Sequence, residues 1–206
     1  MSEYDEHEHD HEHTHEGHDH DHDHDEPGHE GHNHDHSLIV DRLPAGSWKV
    51  DPGSSEVNFK TRSLFGLVPV TGYFDRFDGG LDVDESGAVS GSLVVATETL
   101  ATGIGRRDDH LRSKDFFYSA EHPHMTFTIE KIEPSGEDHL NLSGSLQVRE
   151  TAIPLSFPVY AILHGDHLHI EGRAKIDHQA AGLGWAKPGM VGKTVRADVA
   201  LTLNPA

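Results

Sequence analysis

From residue 48 onward the chain alternates between apolar and polar side chains, and this alternation limits the fold more than any other feature. In the stretch 55–62, Val57 and Phe59 fall on one side of an extended strand, and Glu56 and Lys60 fall on the other. Successive side chains of a strand point to opposite faces of its sheet. The same pattern recurs in residues 88–100, 139–150, 153–163, 167–176 and 194–203. We therefore expect long strands, each with one buried face.

Turn-forming residues separate these stretches at 84–87, 134–138 and 164–166, the last of which suits a two-residue hairpin. Pro154 and Pro158 lie in one strand and indicate an edge, a bulge or a kink there. A helix is predicted over residues 106–117, with acids early and Lys114 late, and a shorter turn around residues 63–67. Antiparallel strands with one or two short helices indicate an all-β barrel or sandwich, and eight strands close a barrel that holds one small ligand.

The first 36 residues have a different composition from the rest of the chain. They contain 13 of the 21 histidines, 14 of the 36 acids and none of the 16 Lys and Arg residues. Apart from Met1 and Tyr4 they offer no large apolar side chain, so burial cannot offset the entropy of ordering them. We predict a disordered tail over residues 1–36, a linker over 37–46 and one folded domain over 47–206.

The histidine pattern of the tail predicts metal binding. Neutral imidazole suits divalent transition metals such as zinc or nickel, and carboxylates can complete the coordination shell. The candidate ligands are His7, His9, His11, His13, His15, His18, His20, His22, His24, His29, His32, His34 and His36. Two alternatives stay open: a solvating acidic tail that binds metal only incidentally, and a pH-sensitive tail whose charge changes from −14 to −1 when all 13 histidines are protonated. A hairpin with His164, His167 and His169 is a weaker metal candidate.

Several functional classes are disfavoured by composition. The formal net charge of −20 argues against nucleic acid as a partner, because phosphate binding needs a basic stripe. The absence of cysteine removes disulfides, thiolate metal sites and cysteine nucleophiles. We find no run of about 20 apolar residues that would span a membrane and no secretory signal, so the expected location is the cytoplasm. No hydrolase, zinc-protease, Walker or Rossmann motif occurs, and we expect a protein that is not an enzyme.

Several phrases of the folded part, in order, resemble the YceI-like family of lipocalin-like barrels. One is W-x-V-D-P-x-x-S, with Trp48, Val50, Asp51, Pro52 and Ser55; another is G-x-F-x-x-F-x-G, with Gly72, Phe74, Phe77 and Gly79. The most distinctive phrase runs from Thr102 through Arg107, Asp108, His110, Leu111, Arg112, Ser113 and Asp115 to Phe117. An HP-x-x-T-F phrase at residues 122–127 and Val191, Gly192 and Val195 complete the series.

The chain also departs from the family pattern. The DPGSS stretch lacks a histidine that family members often carry, RETAIPL stands where relatives have a Gly-Val-Thr-basic-Pro phrase, and residues 175–185 replace a late R-x-D-F-G phrase. The tail is not part of the pattern. These departures fall near the ends of the barrel that the resemblance implies.

The resemblance implies an elongated eight-stranded antiparallel barrel whose apolar tunnel holds an amphiphilic isoprenoid-type lipid. The candidate ligand-binding side chains are Phe59, Phe65, Phe74, Phe77, Phe116, Phe127, Phe157 and Trp185. A second interpretation is that the aromatic residues fill a dry core. Two roles are also open for the polar residues of the most distinctive phrase, which are Arg107, Asp108, His110, Arg112 and Asp115. They either hold the helix on the barrel by hydrogen bonds and ion pairs, or they bring His110 or Arg112 to a lipid head group.

The sequence thus predicts a lipid carrier or sequestering module with a metal-binding tail. The competing hypothesis is a protein for zinc or nickel storage or delivery, in which the barrel is mainly a scaffold. A homodimer is compatible with either hypothesis.

Overall fold

A computed structural model describes residues 43–63, 67–135, 139–183 and 193–206. The chain divides into two units, Met1–His34 and Asp35–Ala206, and every described residue belongs to the second. The predicted tail with its 13 histidines lies outside the described residues, as do Phe65 and Trp185 of the predicted lipid site.

The described residues form eleven strands, one α-helix and two short 3-10 turns. The turns are Pro52–Ser54 and Thr97–Thr99, and the helix, α1, spans Gly105–Arg112. The strands are β1 (Gly46–Val50), β2 (Glu56–Ser63), β3 (Val68–Phe74), β4 (Phe77–Val83), β5 (Val89–Ala96), β6 (Leu100–Ala101), β7 (His124–Pro134), β8 (His139–Val148), β9 (Thr151–His164), β10 (His167–Asp177) and β11 (Thr194–Pro205).

Eight of these strands close into an antiparallel barrel, which confirms the predicted fold. Its order is β1-β4-β5-β7-β8-β9-β10-β11, and β11 returns to β1 by pairing Trp48 with Pro205 and Val50 with Leu203. Closure leaves no exposed edge at this join. The strand β2 continues the path of β1 and pairs with β11 and β3, and β6 adds to the far side of β3.

The alternation in the sequence corresponds to the two faces of the barrel wall. On β2, for example, Val57 is 5% exposed, whereas the side chain of Lys60 is 53% exposed. The predicted hairpin at 164–166 is also present: His164 pairs with His167 across a two-residue turn, and Gly165 adopts φ +61°, which favours glycine.

The strand with two prolines has an unpaired stretch. Residues Thr151–Tyr160 of β9 pair with β8, but the pairing with β10 covers only Val159–His164. Strand β10 meanwhile stays paired with β11 as far as Asp177. Pro154 and Pro158 have the same parity along the strand, so both missing N–H donors belong to the same edge. Among the described pairings, β9 is therefore an edge strand over Thr151–Pro158, as one of the sequence interpretations had it.

The helix is shorter than predicted, because α1 ends at Arg112 and residues 113–117 form turns. The amide of Phe117 donates to the carbonyl of Leu111, and Tyr118 adopts φ +50°, which a continuing helix does not allow. Both Phe116 and Phe117 are 8% exposed. Consecutive residues on a helix do not face the same side, so the turn is what allows both rings to enter the core.

One carboxylate on the outer barrel wall accepts hydrogen bonds from two arginines. Asp198 Oδ1 accepts from Arg173 Nε at 2.8 Å, its Oδ2 accepts from Arg196 Nε at 3.0 Å, and Lys60 Nζ lies 4.0 Å away. Burial alone would raise the pKa of Asp198, but the hydrogen bond from Arg173 and the charge of Arg196 outweigh it. The pKa therefore lies below the ordinary 3.8.

We predict that Asp198→Asn lowers the free energy of unfolding at pH 7 by about 1 kcal/mol, because charge-assisted bonds at a partly exposed site contribute about that much. A lowered pKa in the folded state stabilises the fold above the unfolded pKa, and this contribution is lost as pH falls through the folded value. Chemical denaturation of both proteins should show a difference at pH 7 that begins to shrink near pH 4 and disappears only below the lowered folded pKa. A difference that persists at low pH would contradict an ionic origin.

Candidate ligand cavity

The barrel encloses a cavity of about 140 Å³ whose lining is almost wholly apolar. Strands β4, β5, β7, β8, β9, β10 and β11 all contribute to it, together with Val50 and Val57. Apart from Gly80 and Ser92, every lining residue is aliphatic, Met or Phe. A cavity of this size and polarity stays free of water and accepts apolar ligands, since water would find no polar partner there.

Exposure values show that the middle of the barrel is not filled by side chains. Leu93, Met125, Phe127, Leu142 and Leu201 line the cavity, yet they are only partly buried. Protein interiors normally contain few voids larger than a water molecule. The cavity is therefore a specific feature of this barrel and is the candidate binding site.

Two aromatic rings in the lining lie close to glycines. The centroids of Phe127 and Phe157 are 5.6 Å apart. A Cβ placed on Gly144 would lie 2.8 Å from Cζ of Phe127, and one on Gly172 would lie 3.1 Å from Cε2 of Phe157. A side chain at 144 would collide first with the carbonyl oxygen of Thr128 and then with the ring of Phe127, so only glycine lets the strand and the ring keep these positions.

The structure divides the predicted aromatic residues into two groups. Phe127 and Phe157 line the cavity, whereas Phe59, Phe74, Phe77 and Phe116 do not belong to its lining. Instead, Phe59 packs on Phe74, Phe74 on Phe117, and Phe117 on Phe116, with centroid distances of 5.6, 6.1 and 5.2 Å. Phe77 is 8% exposed in the same core cluster. This second group packs as the dry core that the sequence left as an alternative.

The aliphatic part of the lining was not singled out from the sequence. Ile170 and Leu201 face each other across β10 and β11, and Ala174 and Ala197 do the same four residues further along. All four occupy inward positions of alternating strands. The alternation marks them as inward residues, but no local signal separates those that line a void from those that pack tightly.

The distinctive run around α1 holds the helix on β6. Asp108 is 7% exposed and accepts hydrogen bonds from the amide and the hydroxyl of Thr102. Arg107 donates to the hydroxyl and the carbonyl of Thr102 at 2.7 and 2.9 Å, and Arg112 donates to the carbonyl of Leu100. These contacts correspond to the anchoring role that the sequence offered for the run.

A second concave region, of about 780 Å³, lies on the outside of the wall across β2, β3, β9, β10 and β11. Its lining includes Lys60, Tyr73, Tyr160, Arg173 and Asp198. It is larger than the interior cavity, but its charged groups would lose hydration against an apolar chain. The interior cavity is the better site for a lipid.

The histidines of the β9–β10 hairpin have separate partners. His167 contacts Asn204 at 2.6 Å and Asp166 at 3.2 Å, and His169 Nε2 lies 3.1 Å from Glu171. Within the described ranges, no group of three or more His, Asp or Glu side chains is placed to hold a metal ion, so the weaker metal candidate at this hairpin finds no support. No described helix is both long and apolar enough to cross a membrane.

Comparison with known proteins identifies the barrel. Residues 48–204 match the model of the YceI-like domain. The chain is 31% identical over 126 residues to Protein YceI of Escherichia coli O17:K52:H18, an alignment that covers 59% of this chain and 65% of that protein. Protein YceI of Shigella flexneri is 30% identical over the same length. The chain thus spans slightly less than two thirds of these relatives.

Solved structures share the fold. The crystal structure of Burkholderia cenocepacia BcnA superposes with a TM-score of 0.68 at 24% identity and covers 74% of this chain and 98% of its own. A polyisoprenoid binding domain from Saccharophagus degradans gives a TM-score of 0.62 at 19% identity, with coverage of 77% and 98%. The match of the family model over most of the described barrel, with this shared architecture, shows that the chain belongs to the YceI-like family.

Proposed function

We propose that the barrel binds an amphiphilic isoprenoid-type lipid and carries or sequesters it. The observation that carries this proposal is the unfilled cavity with an apolar lining in the middle of the barrel. Binding pockets for such ligands have apolar walls and few polar groups. The printed description of the Saccharophagus degradans neighbour as a polyisoprenoid binding domain supports the same ligand class.

The size of the cavity adds a condition to this proposal. A void of about 140 Å³ is comparable to one that accepts a benzene molecule. A long isoprenoid chain needs more room, so the lining must move outward when it binds. Met125 has an unbranched side chain that adapts readily to a new shape, and the unpaired stretch of β9 borders the cavity through Leu155 and Phe157.

The chemistry of the lining favours a carrier over an enzyme. The described lining offers Ser92 as its one polar side chain and contains no acid, base or imidazole. General acid–base catalysis needs a titratable group within hydrogen-bonding reach of the reacting atoms. Apolar walls suit the retention of a chain, and we infer that retention is the role of the barrel.

We predict that Ala197→Leu lowers the amount of lipid that copurifies with the protein. Ala197 is a small residue in the lining, and a leucine there would occupy part of the void. Loss of ligand volume should weaken binding by roughly tenfold, equivalent to about 1.4 kcal/mol. Organic extraction and mass spectrometry of the purified protein measure the lipid, and thermal unfolding should show that the fold is kept.

Phe116→Leu is the matched control, because Phe116 is buried against Phe117 and does not belong to the lining of the cavity. It should lower stability by about 1–3 kcal/mol through lost packing and leave the bound lipid unchanged. Equal lipid in wild type and Ala197→Leu would refute the cavity as the binding site. Loss of lipid in Phe116→Leu without unfolding would place the site among the packed aromatic residues.

We further propose that the tail binds divalent transition metals independently of the barrel. Its 13 histidines are spaced closely enough for several sets of three or four ligands, and such sets follow the general affinity order of the metals without sharp selectivity. The competing hypothesis of zinc or nickel storage or delivery assigns the function to the tail. If the protein is a lipid carrier, variants of the cavity should lose the physiological activity. If it stores or delivers metal, variants of the tail should lose it.

Replacement of all 13 tail histidines by glutamine should remove nearly all bound zinc or nickel, measured by titration calorimetry on the full chain. This variant keeps the carboxylates, so it separates imidazole ligation from simple charge attraction. Affinity of the wild type should fall as pH drops through about 6.5, because ligation needs neutral imidazole. Deletion of residues 1–36 is the second arm. If the truncated protein binds as many ions as the full chain, the metal site lies in the barrel.

The cytoplasmic location stays a prediction. Fractionation of cells that express the full chain from its own gene should place it with cytosolic markers, and mass spectrometry should find the tail intact. Recovery with periplasmic markers, or without the first residues, would show that the protein is exported.

A further inference from the structure

A basic area lies on the outer wall of the barrel where β2, β10 and β11 run side by side. Lys175 pairs with Arg196, and Arg196 pairs with Lys60, so three cations face one another across adjacent strands. Like charges directly opposite each other destabilise a sheet. This arrangement costs stability and suggests that the area has an anionic partner.

Six of the 16 Lys and Arg residues of the chain belong to this area. They are Lys60, Arg62, Arg173, Lys175, Lys193 and Arg196. Two acids lie among them: Asp198 holds Arg173 and Arg196, and Asp177 lies 3.4 Å from Lys193. Counted over the described residues of this area, six positive and two negative side chains give an excess of four positive charges, in a protein whose formal charge is −20.

The charged ends of these side chains reach the solvent. The side chains of Arg173 and Lys193 are 65% and 75% exposed. The excess of positive charge is confined to one end of the three strands. Beyond Arg173 and Asp198, the next outward-facing positions are occupied by Glu171 on β10 and Glu56 on β2. The basic end is the end at which β2 leads into β3.

Exposed apolar residues lie directly beside this basic end. Leu67 is 78% exposed and directly precedes β3, and Val68, the first residue of β3, is 40% exposed. Val68 pairs with Ser63, and the neighbouring pair is Arg62 with Pro69, so Val68 lies one position beyond the basic residues, at the same end of the sheet and on its opposite face. Tyr73, further along the outer face of β3, is 50% exposed. Adjacent exposed apolar residues with a polar rim mark a binding surface.

We propose that this end of the sheet, formed by Leu67, Val68 and the six basic residues, docks on an anionic lipid bilayer. Basic residues are attracted to anionic head groups, and exposed apolar side chains enter the interface between head groups and acyl chains. At physiological salt the Debye length is about 8 Å, so distant acids of the same chain do not cancel the local attraction. The biological purpose, collection of a lipid from a membrane, rests on the proposed function, but docking itself does not.

A soluble polyanion such as nucleic acid is a different partner for the same charges. Leu67 and Val68 argue for the bilayer, because backbone phosphates attract the basic side chains and offer nothing to an exposed leucine. A contribution of Leu67 and Val68 to binding therefore distinguishes a lipid bilayer from a nucleic acid.

Cosedimentation of the full chain with vesicles tests the proposal. The protein should bind vesicles of phosphatidylcholine mixed with phosphatidylglycerol, bind phosphatidylcholine alone much more weakly, and dissociate as salt is raised. K60Q/K175Q/K193Q should weaken binding by roughly a hundredfold, since each basic residue near the surface contributes roughly a factor of five. The variant leaves Arg173, Arg196 and Asp198 in place and removes two of the facing like charges, so it should melt at or above the wild-type temperature.

K49Q/R76Q/K131Q is the matched control, because it removes the same charge at exposed positions outside the area and should bind vesicles like the wild type. Leu67→Ser should weaken binding without changing its salt dependence. Ala197→Leu should bind vesicles normally, which separates docking from occupation of the cavity.

Three results would overturn the proposal: equal binding of the K60Q/K175Q/K193Q variant and the wild type, equal binding to both kinds of vesicle, or unchanged binding by Leu67→Ser. Capture of a single-stranded oligonucleotide through Lys60, Lys175 and Lys193, without binding to vesicles, would replace the bilayer by nucleic acid.

Discussion

The return of β11 to β1 is the contact on which the rest of the structure depends. It brings residues 48–50 and 203–205, at opposite ends of the described chain, into one ladder. Once the ring is closed, the alternation of each strand defines an inside and an outside. The inside then holds both the aromatic core and the cavity, and the outside carries the basic area. Without closure, the apolar face of each strand would have no common interior to enter.

The strands and turns could be predicted from the sequence because alternation and turn residues are local signals, but these signals left a barrel and a sandwich open, and the closed barrel followed from the family resemblance. The edge character of β9 was one of the readings of Pro154 and Pro158, and the hairpin at Gly165 followed from its turn residues. The anchoring of α1 was also among the stated alternatives, since charged and polar residues near a helix end commonly bond to backbone groups. Each of these depends on residues close together in the chain.

The cavity could not be predicted in the same way, because its shape depends on residues from nine strands. Large aromatic residues were the natural candidates for the lining, yet Phe59 and Phe74 pack on each other while Ala197 and Leu201 border the void. The end of α1 depended on the burial of two consecutive rings, Phe116 and Phe117, which is a tertiary requirement. Likewise, the basic area appears only when β10, β11 and β2 lie side by side.

The missing ladder between β9 and β10 gives the barrel a seam. Over Thr151–Pro158 the two strands are joined by side chains such as Phe157 and Ala174, without the main-chain pairing present elsewhere in the ring. When the strands separate there, van der Waals contacts are lost but no backbone hydrogen bonds between β9 and β10 are broken. Leaving buried backbone groups unpaired would cost more free energy than the loss of these contacts. The wall can therefore swell along one line while seven other joins keep their register. The interior of a barrel with such a seam can change its volume while the backbone hydrogen bonds of the wall stay intact.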